Sequence, residues 1–285
     1  MDLVNRLVAA GIDPLMALLG QLPRLAGLAL LSAATGLALL LVVRATSNQR
    51  RLAEVKRAIR AGVFEIRLFG DDPRAILRTQ AELVRHNLTY LRLSSVPLLW
   101  AFVPLVLLTA QLQSFFAYDG VEPGRTSVVK VRLAADWQAR PGSVAGAKPA
   151  AEPALTLEAP EGVRVETPMA WTASTNEAAW RVAVDRPGEY TLVVRLGGEA
   201  FSKSLHASNR VARRSPVRPA RGLAGEVLHP AEPPLPHGSG LLSIEVAYPS
   251  RGISALGVEL HWMVWFIVLS MACAFALKRP LGVVL

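Results

Sequence analysis

The sequence predicts an α-helical membrane protein, with three transmembrane helices, a cytoplasmic helical hairpin and an extracytoplasmic antiparallel β-sandwich domain. Three observations lead there. Apolar runs occupy residues 25–43, 96–117 and 260–277, each close to the ~20 residues that cross a hydrocarbon core. Between the first two runs lie eleven Arg or Lys and five acidic residues, a net of +6. After the second run the apolar pattern shifts to period two, with Gly and Pro turns between the segments, as antiparallel strands require.

Composition agrees. The 285 residues are 52% apolar, with a positive mean hydropathy and a formal charge of +9. The charge sits where membrane topology puts it: residues 118–258 hold sixteen basic and fourteen acidic residues. No nucleic-acid motif accompanies the basic loop, so no specific nucleic-acid partner is expected. Cys273 is the single cysteine and lies in the third apolar run, so the extracytoplasmic part folds without an internal disulfide.

Residues 1–22 place Leu3, Val4, Leu7, Val8 and Ile12 on a helical period, opposite Asp2, Asn5, Arg6 and Asp13, with Pro14 interrupting the pattern. A cleaved signal peptide would have a basic start and an unbroken apolar centre. The segment reads as an interfacial helix on the outer face of the membrane, or as an irregular extension of the first span. Residues 23–43 form that span, and Gly27, Ser32, Ala33, Ala34, Thr35 and Gly36 give it a small-residue patch suited to close helix contact.

Residues 44–95 form the hairpin, which the positive-inside rule assigns to the cytoplasm. Leu52, Val55, Ile59, Val63 and Ile66 mark one helix stripe; Ile76, Leu77, Leu83, Val84, Leu88 and Leu91 mark a second, expected to pack against the first. Between them Gly70 can end one helix, and Asp72 with Pro73 can start the next. Residues 96–117 form the second span, with Pro97 in its first turn and Pro104 inside. Its outer third is polar, and polar side chains at that depth face other helices or water. Thr109, Gln111 and Gln113, with Ser32 and Thr35 of the first span, are therefore the candidate client groove; alternatively, Gln113 and Ser114 sit at the headgroups and mark only the end of the span. Phe115, Phe116 and Tyr118 fit an interfacial aromatic belt.

Residues 118–258 form the β-domain. Strands are expected at 127–133, 155–157, 163–165, 180–184, 190–196 and 243–246, and the piece from Trp180 to Leu196 resembles the late hairpin of an immunoglobulin-like domain. Residues 140–153 and 207–240 are rich in Pro, Ala, Gly or Arg and read as long extended loops. Residues 259–277 form the third span, with His261, Trp262 and Trp265 at its outer end; residues 278–285, opening on Lys278 and Arg279, form a cytoplasmic tail. The N-terminus and β-domain are outside, the C-terminus inside.

Catalytic chemistry is not visible. His86, His206, His229, His237 and His261 are scattered without metal-ligand spacing, and no phosphate loop, nucleophile elbow or paired intramembrane carboxylates occur. The expectation is a non-enzymatic chain with no cofactor and no metal.

The order of outer helix, span, basic helical hairpin and second span is similar to the start of the core of YidC-type insertases. The three-span layout resembles the third subunit of the ER membrane protein complex. Ser47-Asn48-Gln49, and the run from Phe64 through Phe69-Gly70-Asp71-Asp72 to Pro73, resemble bacterial three-span membrane proteins. The chain departs from the bacterial insertases in lacking a charged residue at 25–43, where they carry a groove arginine.

The resemblance implies a bacterial inner-membrane, multi-pass protein that assists insertion or assembly of membrane proteins. Its hairpin, through Arg50, Arg51, Lys56, Arg57, Arg60, Phe69, Asp71, Asp72, Arg74 and Arg78, would meet membrane-protein clients or ribosomes. The alternative is a structural or binding subunit of an envelope complex, whose β-domain docks an extracytoplasmic partner.

Overall fold

The computed structural model describes residues 2–68, 73–137, 153–208, 211–250, 252–255 and 257–283. In chain order the elements are α1 (Asp2–Leu19), α2 (Arg24–Thr46), α3 (Gln49–Leu68), α4 (Pro73–Phe116), β1 (Thr126–Leu133), β2 (Leu155–Glu158), β3 (Val163–Val165), β4 (Ala170–Thr172), β5 (Glu177–Val184), β6 (Gly188–Leu196), β7 (Glu199–Ala207), β8 (Val217–Pro219), α5 (Leu223–Leu228), β9 (Leu241–Val246), β10 (Ile253–Ala255), β11 (Val258–Leu260) and α6 (Trp262–Leu277). They fall into two units: Met1–Arg24 with Leu107–Trp262, and Leu25–Val106 with Met263–Leu285.

The second unit is helical. α2 and α4 are long and apolar enough to cross a membrane. α6, with 16 residues, covers about 24 Å at 1.5 Å per residue, short of a ~30 Å hydrocarbon core. The small-residue patch of α2 is where α6 approaches: a Cβ on Gly36 would overlap the Ser270 carbonyl oxygen, and the Cys273 thiol donates to the Ala33 carbonyl at 3.4 Å. Ser270 turns its hydroxyl onto Phe266 O of its own helix, so that hydroxyl is paired at the crossing.

α3 and the first half of α4 run antiparallel, as the hairpin pattern predicts. Gly62 lies opposite Leu83 and Thr79, and Lys56 Nζ lies 5.4 Å over the Tyr90 ring. The contact stripe of α4 differs from the predicted one. Thr79 is buried and Leu83 is half-buried, whereas Leu77, Val84, Leu88 and Leu91 are exposed. Because α4 is amphipathic with two apolar flanks, the stripe at period 3.5 facing α3 uses a threonine and a tyrosine, leaving four aliphatic residues outward. The junction residues 69–72, which include the proposed caps and Phe69, Asp71 and Asp72, lie outside the described residues.

α4 is one helix of 44 residues containing both Pro97 and Pro104. The second arm of the hairpin therefore runs on into the predicted second span with no helix end at 95/96. Losing the bond from Pro97 to Leu93 O costs less than ending a helix and starting another, which would orphan four carbonyls and four N–H groups. α1 likewise runs through Pro14.

In the first unit β1 is central. It pairs antiparallel with β5 and β9, in a sheet ordered β3-β5-β1-β9-β8 with β4 also on β5. Val129, Val131 and Leu133 point inward while Lys130 and Arg132 are exposed, the period-two alternation of a half-buried strand. A second sheet has the order β2-β6-β7 and a third pairs β10 with β11. Two core clusters draw on the first two sheets: Trp180, Val131 and Ile244 meet Val194 and Phe201, and Val129, Val182 and Val246 meet Leu192 and Leu205.

Two expectations change here. Trp180 to Leu196 is not a hairpin: β5 and β6 belong to different sheets, and the hairpin is β6–β7, turning at Gly197, whose φ of 59° suits glycine. Residues 207–240 are not a solvated loop. They contain β8 and α5, and Arg214, Ser215 and Leu235 are buried. The extended predicted loop at 140–153 lies almost wholly outside the described residues.

Candidate functional site

A concavity of the helical unit lies at the root of the hairpin. α2 ends at Thr46 because the chain turns at Ser47 and Asn48. The Asn48 side chain accepts the Arg51 N–H at 3.1 Å, capping α3. This short turn brings Leu52, one residue turn into α3, beside the end of α2 and the middle of α4. The result is a cavity of about 360 Å³ lined by Leu39 and Val43 of α2, Ser47, Leu52, and Tyr90, Ser94, Pro97, Leu98, Ala101, Phe102 and Leu105 of α4.

Its chemistry follows from that lining. Aliphatic and aromatic carbon dominates, and the hydroxyls come from Ser47, Ser94 and Tyr90. Leu52, Pro97 and Ala101 form the buried floor, while Leu98 and Phe102 are exposed at the rim. Among the described residues no charged side chain lines it. Such a volume accepts an apolar side-chain cluster or an acyl chain and offers no means of solvating a charge.

Beyond the cavity the hairpin is basic and open. Arg50, Arg51, Arg57, Arg60, Arg74 and Arg78 are exposed, as are Arg85 and Arg92. Arg78 reaches Glu82 at 3.4 Å on a largely solvated surface, where such a pair contributes little. Lys56 is the exception among the described contact residues, being half-buried over Tyr90. Val63 and Phe64 on α3, and the stripe Leu77, Val84, Leu88 and Leu91 on α4, are exposed among these charges.

The five predicted groove residues are placed elsewhere. Ser32 and Thr35 are buried, and their hydroxyls donate to Leu28 O at 2.7 Å and Leu31 O at 2.8 Å of their own helix. Gln113 donates to the Tyr118 hydroxyl at 3.1 Å. Thr109 is half-exposed, and Gln111 is buried with its Oε1 unpaired among the described residues. None of the five lines the cavity.

The polar end of α4 instead receives the 211–216 segment. Ser114 O accepts the Arg214 N–H at 2.8 Å. The Arg214 guanidinium, wholly buried, donates to Tyr118 O at 2.9 Å and Ser208 O at 2.6 Å. Arg213 stacks over Phe115 at 5.2 Å. Phe115 and Phe116 are therefore core residues, Phe116 stacking on buried Trp262 at 6.4 Å, and do not form the exposed aromatic belt.

Sequence reasoning missed the cavity because it took residues 44–95 and 96–117 as separate segments and followed no stripe across Pro97. Read as one helix, Tyr90, Ser94, Pro97, Ala101 and Leu105 recur every three or four residues, the signature of a single buried stripe. Among the described residues no three His, Cys, Asp or Glu side chains gather to hold a metal ion. No family model, no curated protein and no solved structure matches this chain.

Proposed function

We propose that the chain is an insertase-like membrane protein, a three-span relative of the YidC superfamily that assists insertion or assembly of other membrane proteins. In this reading α2, α4 and α6 cross the bacterial inner membrane. The hairpin and C-terminus face the cytoplasm, and α1 and the β unit, an immunoglobulin-like sandwich, face outward. The observation that carries the proposal is the apolar cavity at the hairpin root, beside a projecting hairpin with exposed arginines and leucines.

The chemistry of that cavity defines the task. A hydrophobic client segment leaving water gains about 25 cal/mol for each Å² of apolar surface it covers. The cavity provides such cover where the basic hairpin meets the apolar spans. The arginines attract acidic residues flanking a client segment, or ribosomal phosphates. With no charge in the cavity or in 25–43, the site holds the apolar segment itself and does not ferry polar flanks through a hydrated groove. Reconstitution into proteoliposomes with a short-loop or tail-anchored client tests this. Ser94→Trp, which fills the cavity, is expected to lower insertion several-fold; unchanged insertion of every client contradicts the proposal.

A second reading is a structural subunit of an envelope complex. The outward stripe Leu77, Val84, Leu88 and Leu91 favours it, since an ordered apolar face at helical spacing fits one permanent helical partner. Co-purification separates the two: a stoichiometric partner supports the subunit, transient nascent chains support the insertase.

A further inference from the structure

The β unit carries a second apolar surface, separate from the cavity. α5 is folded inside out: Glu226 is only 7% exposed, whereas Leu223 is 73% and Leu228 is 53% exposed. A helix facing water buries its leucines and exposes its carboxylates. The inward carboxylate is used, since Glu226 Oε1 accepts the Gly222 N–H at 3.3 Å and lies 3.9 Å from Arg221 Nε. The Glu226 carbonyl accepts from Asn5 Nδ2 at 2.7 Å, which seats α5 on α1.

α1 repeats the arrangement. It buries Ile12 and Met16, its Asp13 pairs with Arg213 at 2.5 Å, and on the opposite flank Leu15 and Leu18 are exposed, followed by Leu22 just beyond the helix end. Five residues after Leu19, Arg24 opens α2 and is fixed in the same unit by a 2.6 Å ion pair with Asp119. Leu22 thus lies two residues before the start of α2, and Leu228 lines a small concavity with Ala110 and Gln113 of α4, so both adjoin helices apolar enough to cross a membrane.

We infer that α5 and the free flank of α1 form one interfacial anchor. Leu15, Leu18, Leu22, Leu223 and Leu228 enter the headgroup–acyl boundary of the leaflet that α2 enters at Arg24. The occupant of this surface is lipid, to the depth of ~5–10 Å typical of interfacial helices. The inference rests on α2 and α4 crossing the bilayer and is independent of the insertase reading.

The test uses the full chain with Cys273→Ser in nanodiscs of phosphatidylethanolamine and phosphatidylglycerol. A nitroxide is attached to a cysteine replacing Leu223 or Leu18, with exposed Leu99 of α4 and Thr191 of β6 as references. Collision with oxygen against a water-soluble nickel chelate reads the surroundings. Lipid-like ratios at Leu223, Leu18 and Leu99, and a water-like ratio at Thr191, support the anchor. Water-like ratios at Leu223 and Leu18 with a lipid-like Leu99 overturn the anchor alone. A water-like Leu99 overturns the membrane reading beneath it. Labels at Leu223 shielded from both reagents show protein cover, by a second copy, and also overturn it.

Discussion

Lys203 Nζ and Glu232 Oε2 meet at 2.5 Å inside the β unit, with the lysine side chain wholly out of solvent. Lys203 also donates to Ser215 O at 2.6 Å, and the Ser204 N–H donates to Glu232 Oε1 at 2.7 Å. One buried pair thus ties β7 to both ends of the 211–236 segment. That segment carries Arg213, Arg214 and α5, so the pair sets their positions.

The pair makes the β unit acid-sensitive. Burial pushes the Glu232 carboxyl up, but Lys203 and the Ser204 N–H outweigh it and hold it below the usual carboxylate range. A lowered acid pKa adds stability above its unfolded value, lost as pH falls through the folded one. Burial pushes the Lys203 ammonium down against the pull of Glu232, so protonating it also costs stability, and this cost too is relieved as pH rises. Calorimetry should show the β-unit melting temperature falling as pH drops below about 4.5. Glu232→Gln reduces that dependence, the remainder coming from Glu177 and Asp185, whose carboxyls Arg132 and Arg164 also hold low, and lowers neutral-pH stability by about 3–5 kcal/mol, the cost of an unpaired buried charge. A melting temperature in Glu232→Gln equal to that of the parent chain contradicts the assignment.

At the α2–α6 crossing no side-chain atom fits on Gly36, because its Cβ would overlap Ser270 O. Gly36→Val is expected to lower thermal stability in detergent by about 1–3 kcal/mol through overpacking, whereas Leu37→Ala, at an exposed position of the same helix, should change it by less than about 0.5 kcal/mol. Equal effects of the two variants contradict close packing there.

The outward hairpin stripe makes a separable prediction. Val84→Ser and Leu88→Ser alter exposed side chains, so hairpin helicity should be unaffected. Under the proposed function, capture of a client or partner falls several-fold. Loss of helicity in circular dichroism would instead show that the stripe is packed within the chain.

How much of this was legible in the sequence depends on which signal each residue carried. The apolar run at 25–43 and the strands centred on Val129, Trp180 and Leu192 stand out by hydropathy and period. β7 was hidden because Phe201, Lys203, Leu205 and Ala207 are its inward residues, and a lysine among them breaks the apolar alternation. α5 was hidden by the prolines on either side and by its inverted polarity. The exposed arginines of the hairpin follow from its charge, whereas the cavity depends on α4 passing through Pro97, which local preference alone would end.

Sidedness has its own check. In a Cys273→Ser background, single cysteines at Arg57 of α3 and Thr191 of β6, both exposed, are treated in intact spheroplasts with a membrane-impermeant maleimide. The proposal expects labelling at 191 only; labelling of both from one side contradicts it.

The most direct test of the proposed role is a photo-crosslinking amino acid at Ser94, on the cavity wall, in the full chain during synthesis of a short-loop membrane protein. The account predicts an adduct with the client's apolar segment that disappears once the client is fully inserted, and that Ser94→Trp abolishes crosslinking from a second probe at Leu98. Adducts to one stoichiometric protein, unchanged with or without client synthesis, would contradict it.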